Sequence, residues 1–108
     1  MQEPPTWVQR DLFGGTGEVR IADLLSPCPL AGFAAILDCS LEPGGRVGTH
    51  LQQEYAEAVV FTAGHGTVEV DGVAREVAAG DVVSLPLGAT LALFNAGVAP
   101  LRYVILKA

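Results

Sequence analysis

The sequence predicts an all-β protein, a double-sheeted jelly-roll barrel, and three observations lead there. Glycine and proline punctuate the chain densely, 13 and 7 of them in 108 residues. The runs between them are short and rich in valine, leucine and alanine, as in sandwiches and barrels rather than βαβ units. No segment keeps a helical period over three turns.

The elements follow in order. Residues 1–17, with Pro4, Pro5, Gly14, Gly15 and Gly17, read as an irregular amino-terminal arm, and residues 18–108 as one barrel domain. The expected strands are Glu18–Asp23, Phe33–Leu41, Thr49–Gln53, Glu57–Ala63, Thr67–Val70, Val73–Val77, Asp81–Leu85, Thr90–Phe94 and Leu101–Lys107. Leu24–Gly32, carrying Pro27 and Pro29, connects the first two. Val70-Asp71-Gly72-Val73 sets Asp-Gly between two strands, the composition of a primed two-residue hairpin turn. Gly80 and Gly88 mark further reversals, since glycine takes positive φ freely. There is no linker and no low-complexity tract. Nine short strands suit a jelly roll.

Composition narrows the function. A chain of this length supports a single core. A net charge of −6 and a pI near 4.6 argue against nucleic acid or an anionic membrane surface as partner. No apolar run reaches the ~18 residues of a membrane span. The segment Met1–Thr6 lacks the basic and apolar regions of a secretory signal, which leads us to expect a cytoplasmic protein. Cys28 and Cys39 form no C-x-x-C pair, and neither has a local activating group.

Two blocks carry the chemistry. In the first, Gly44 is followed after five residues by His50, after one by Gln52, after four by Glu57 and after six by Gly64. In the second, Gly80 is followed after five by Pro86-Leu87-Gly88, after two by Leu91 and after three by Asn95. This spacing resembles the paired motifs of the cupin family, G-x5-H-x-H-x4-E-x6-G and G-x5-P-x-G-x2-H-x3-N. The resemblance runs from about Phe33 to Ala108 by the strand layout described above. It implies a double-stranded β-helix, the cupin jelly-roll barrel. It also implies four metal ligands, of which two are replaced: glutamine stands at 52 and leucine at 91.

Residues two apart on a strand share a face. His50 and Gln52 therefore point together, and Glu57 opens the next strand and can reach the same place. Val59 and Phe61 follow it on that face, and Leu91 and Leu93 share a face on the eighth strand. These seven residues form the expected ligand pocket. His50, Gln52 and Glu57 are also the candidate ligands for a weakly held divalent ion (Zn, Mn, Fe or Ni), because a neutral amide cannot complete a two-histidine, one-carboxylate triad. Burial near Leu91 would raise the Glu57 pKa and suit it to acid/base work. His65, between two glycines, reads as an exposed turn residue, Asn95 as a turn-stabilising side chain, and Tyr55 and Tyr103 as rim residues. Arg46 and Arg102 read as solvated.

The resemblance covers a fold shared by enzymes, sensors and storage proteins, so fold alone does not choose among them. The expected function is a small-molecule-handling cupin with a weakened or vestigial metal site. One alternative is a metal-dependent cupin enzyme of dioxygenase, isomerase or decarboxylase type, using His50, Gln52 and Glu57. Another is a non-catalytic scaffold or sensor module. A mean hydropathy of +0.41 is high for so small a domain. Alternation leaves Ala34, Ile36, Ala92 and Phe94 on outer faces, so a homodimer is expected. The arm with Trp7 and Phe13 either crosses to the partner or folds back on its own barrel.

Overall fold

Alternating inward and outward residues build the molecule as two facing antiparallel sheets. The computed structural model describes residues 3–108. Its strands are β1 (Thr6–Arg10), β2 (Glu18–Asp23), β3 (Ala35–Leu41), β4 (Arg46–Leu51), β5 (Glu57–Ala63), β6 (His65–Val70), β7 (Val73–Ala78), β8 (Val82–Leu85), β9 (Thr90–Phe94) and β10 (Leu101–Lys107). One sheet has six strands in the order β1-β2-β3-β10-β5-β8, the other four in the order β4-β9-β6-β7. All pairs are antiparallel, and the expected jelly-roll barrel is formed. No helix among the described residues is long and apolar enough to cross a membrane.

The core lies between the sheets. Val19, Leu41, Val59, Phe61, Val68, Leu101 and Tyr103 are each at most 2% exposed. Burying one such aliphatic or aromatic side chain contributes roughly 1.5–3 kcal/mol. The strict alternation of β5, with Glu57, Val59 and Phe61 buried, shows how a period of two sends one set of residues inward.

Several boundaries differ from the sequence reading. The arm is not irregular throughout: Thr6–Arg10 pairs with β2, Trp7 lying opposite Ile21. Its flanking prolines and glycines hid a strand whose exposed face carries no hydrophobic alternation. Phe33 and Ala34 lie outside β3, and Phe33 is exposed. β4 begins earlier, at Arg46, and ends before Gln52. β6 starts at His65, which is exposed but is a strand residue rather than a turn residue. Ala92, expected on an outer face, is only 2% exposed, because its short methyl sits low on a strand flanked on both sides by β4 and β6.

Asn95 fulfils its expected turn role and extends it. The side chain is fully buried. Its Nδ2 donates to the carbonyls of Leu41 and Ala99 at 3.0 and 2.9 Å, and its Oδ1 accepts from the Gly97 amide at 3.0 Å. It ties the loop before β10 to the end of β3, closing one end of the barrel.

Candidate ligand-binding site

A cavity of about 520 Å³ opens at the other end of the barrel, within the ~300–1,000 Å³ typical of small-molecule sites. Its wall includes His50, Gln52, Glu57, Leu91 and Leu93. The structure thus brings together five of the seven expected pocket residues. Val59 and Phe61 are the exceptions. They lie deeper on β5 in the closed core, where Phe61 packs on Tyr103 with ring centres 5.9 Å apart. Tyr103 is itself a correction, being a buried wall residue rather than a rim residue. Tyr55 does stand at the exposed mouth.

The polar strip depends on an irregularity in β4. Val47 pairs with Leu93 and His50 with Leu91, so the register slips between them. Residues 47 and 50 are an odd number apart and would face opposite ways in a regular strand. The bulge re-aims the chain so that both reach the cavity. Leu91 stands directly across from His50, in the place where the family motif carries an imidazole.

His50 is held on two sides. Its Nδ1 is 3.0 Å from the Gly48 carbonyl oxygen. A carbonyl only accepts, so Nδ1 carries the proton and the neutral ring keeps a bare Nε2. Burial pushes the His50 pKa down, against a smaller opposing pull from that bond, which favours this neutral form. The Phe13 ring stacks on the imidazole, centres 3.9 Å apart and planes 11° from parallel.

Gln52 follows. Its backbone is fixed by Ala89 and Gly88, N–H to O 2.9 Å in both directions. The residue is 7% exposed, and its Nε2 has no hydrogen-bond partner among the described residues. Glu57 is equally buried. Burial raises its pKa, although Lys107, its cross-strand partner on β10, pulls the other way.

The remaining wall includes residues the sequence reading did not place in the pocket: Trp7 and Phe13 from the arm, Leu37 and Cys39 from β3, and Ile105 and Lys107 from β10. The period of two along β10 puts Tyr103, Ile105 and Lys107 on one face, but nothing local says that this face meets a cavity. The buried Cys39 thiol is pushed up to about 12, chiefly by burial, and is chemically quiet. Arg102 pairs with Asp38 on the outer face at 3.1 Å. A second, shallower hollow of about 430 Å³ includes His65, Glu76 and Asp81.

The donor set does not fit a tight divalent metal centre. Among the described residues no group of three His, Cys, Asp or Glu side chains is placed to hold a metal ion. One imidazole and one carboxylate remain, and the third member is an amide whose unsatisfied atom is a nitrogen donor. That amide offers a cation only its neutral carbonyl oxygen, a weak ligand.

Comparison with known proteins agrees with this architecture. The family described as Cupin domain matches residues 37–107. Over 99% of this chain and 97% of the other, the structure is similar to a protein described as a predicted oxalate decarboxylase from Thermotoga maritima, with 25% identity and a TM-score of 0.90. A Cupin 2 conserved barrel domain protein from Salinispora arenicola is 29% identical over 82% of this chain and 74% of its own, with a TM-score of 0.73. A cupin-like protein of Thermotoga maritima msb8, 22% identical over 100% of this chain and 79% of its own, shares the fold with a TM-score of 0.79. No curated protein matches the chain. The matched span, the barrel and the motif residues converging at its mouth place this chain in the cupin family.

Proposed function

We propose that the barrel binds a small oxygenated organic molecule directly, without a tightly held metal ion. The observation that carries this reading is Gln52, a wall residue of the cavity whose buried Nε2 has no hydrogen-bond partner among the described residues. Leaving such a group unpaired costs about 1–3 kcal/mol, and a ligand acceptor would recover it. His50 Nε2, bare in the neutral ring, asks for a donor. A molecule carrying a carbonyl or carboxyl oxygen beside a hydroxyl meets both demands, with its carbon skeleton against Leu91, Leu93 and Ile105. Likeness to a predicted oxalate decarboxylase supports small carboxylic acids as the first compounds to try.

A second reading, proton transfer on the bound molecule, is favoured by Glu57, whose raised pKa keeps its carboxyl nearer neutral pH. In this reading Glu57 exchanges a proton with the ligand while Gln52 and His50 orient it.

The test is a thermal-shift panel on metal-stripped, untagged protein. Hydroxy acids, hydroxy ketones, oxalate and other dicarboxylates are assayed alone, Zn²⁺, Mn²⁺, Fe²⁺ and Ni²⁺ are assayed alone, and each compound is then assayed with each metal. We expect at least one organic compound to raise the melting temperature of the parent and to leave Gln52→Leu unmoved. Stabilisation by metal at micromolar concentration, with organic compounds acting only in its presence, would overturn the reading.

We also propose that the chain forms a homodimer through the outer face of the six-stranded sheet. Register lines up Ile36, Leu106 and Ala58 across that face, with Val104, Val60 and Val82 beside them. Asp38, in the same field, is already paired by Arg102. A second copy offers the matching apolar surface. Light scattering on a sizing column should give twice the 11.2 kDa chain mass; a monomer mass at micromolar concentration would exclude the pairing.

A further inference from the structure

We propose that Phe13 is a positioning residue for His50, and that the Asp11–Gly17 segment exists to hold it there. The proposal rests on the reading of His50 as a ligand acceptor, but its test is made on ligand-free protein. Three independent features converge on the stacked pair.

The first is the arm's seat on β4. Thr16 and Arg46 exchange backbone hydrogen bonds, both 2.8 Å. A Cβ at Gly15 would sit 1.8 Å from the Arg46 carbonyl oxygen, and one at Gly48 would sit 1.9 Å from that of Phe13. Both positions therefore require glycine, and any other residue would lift the arm away. Gly48 also supplies the carbonyl that binds His50 Nδ1. One glycine thus sets both the tautomer of the imidazole and the height of the ring above it.

The second is backbone strain. Phe13 has φ 54° and Asp11 φ 52°, left-handed values that a bulky residue adopts only under strain. The loop absorbs this by closing on itself, Asp11 donating its amide to the Gly17 carbonyl while its Oδ1 accepts from the Gly17 amide, both 3.0 Å. A phenylalanine held in a strained conformation and still 55% exposed gains little by burial. What the conformation secures is the stack on His50.

The third is direction. With one face covered by Phe13 and Nδ1 fixed below, the imidazole cannot turn about its side-chain torsions without losing both contacts. Nε2 stays available to the cavity, and because its lone pair lies in the ring plane, ligand meets it edge-on rather than through the face that Phe13 covers. Free of the stack, the ring can rotate, and the Nδ1–H form that Gly48 selects loses its advantage.

The chain has only two histidines, so long-range ¹H–¹⁵N spectra of His50 are read with His65 as an exposed internal reference. In the parent we expect the neutral Nδ1–H tautomer to dominate, with ring-current shifts on the imidazole carbon-bound protons. In Phe13→Ala the ring-current shift should vanish and the Nδ1–H share fall below half. Phe13→Tyr should restore both signatures, and Phe13→Leu, matched in bulk but lacking the π face, should restore neither fully. Gly48→Ala should reproduce the Phe13→Ala spectrum with the aromatic ring intact, because it displaces the arm. Phe33→Ala, an exposed aromatic outside the arm, should change nothing at His50. An unchanged His50 tautomer in Phe13→Ala, or equal rescue by leucine and tyrosine, would overturn the proposal. Failure of every compound in the ligand panel would strike the binding reading alone and leave these spectra interpretable.

Discussion

The two ends of the barrel each bury an uncharged amide side chain, and they treat it in opposite ways. At the closed end Asn95 is wholly buried and makes three hydrogen bonds to backbone groups of the β3 end and the loop before β10. At the open end Gln52 is 7% exposed, and its Nε2 makes none. Native proteins satisfy nearly all buried polar groups, and an exception asks for a reason. The first amide is spent on holding the fold, whereas in the proposed binding function the second is kept for a ligand. Both stand at positions of the cupin motifs, so the sequence pattern alone gives them equal weight.

The largest expected effect comes from breaking the satisfied end. Asn95→Leu strips partners from two carbonyls and one amide, a loss of about 3 kcal/mol. In a domain this small that lowers the melting temperature by roughly 12 °C or more, measured by calorimetry or circular dichroism. A smaller loss would mean that water or loop movement substitutes for Asn95.

The next effect sharpens the open end. Leu91→His places an imidazole directly across from His50, at a cross-strand separation that suits two ligands to one ion. The variant should gain Zn²⁺-dependent stability, about 2.7 kcal/mol at a hundredfold excess over its dissociation constant, while the parent gains far less. Equal Zn²⁺ titrations of the two would mean that His50, Gln52 and Glu57 do not converge as described.

A smaller, pH-dependent effect belongs to Glu57. Burial lifts its folded-state pKa above the ordinary value near 4.5. The folded protein therefore holds this proton longer than the unfolded chain. The resulting stability is complete below the ordinary pKa and disappears as pH rises through the folded value. Glu57→Gln removes the dependence, so variant and parent should differ least near pH 4, with the variant gaining on the parent toward pH 7. The same melting series checks it, and since both proteins retain His50, its opposite titration cancels. A gap that narrows with rising pH would mean that the carboxylate is stabilised where it sits.

Much of the fold was legible because a barrel writes itself in a period of two and in turn residues. The Asp71-Gly72 hairpin, the β5 alternation and both motif spacings are local signals, and all nine expected strands are present. β1 was not legible, because an edge strand that pairs through its backbone and exposes its side chains needs no hydrophobic pattern. The site was half legible. His50, Gln52, Glu57 and Leu91 follow from spacing, but Phe13 reaches His50 across 37 residues of sequence through two glycine contacts that no local rule announces. The β4 bulge is equally silent, since an odd spacing between Val47 and His50 suggests opposite faces. Val59 and Phe61 were placed in the pocket correctly by face but not by depth, which periodicity does not measure.

The most direct test is the unfolding free energy of ligand-free Gln52→Leu, determined by denaturant titration beside the parent. Leucine nearly matches glutamine in size and removes the unpaired donor. If Gln52 is kept for a ligand rather than for the fold, the variant should be more stable than the parent by about 1 kcal/mol. A loss of stability approaching that of Asn95→Leu would show that Gln52 serves the fold as Asn95 does, and would contradict the account.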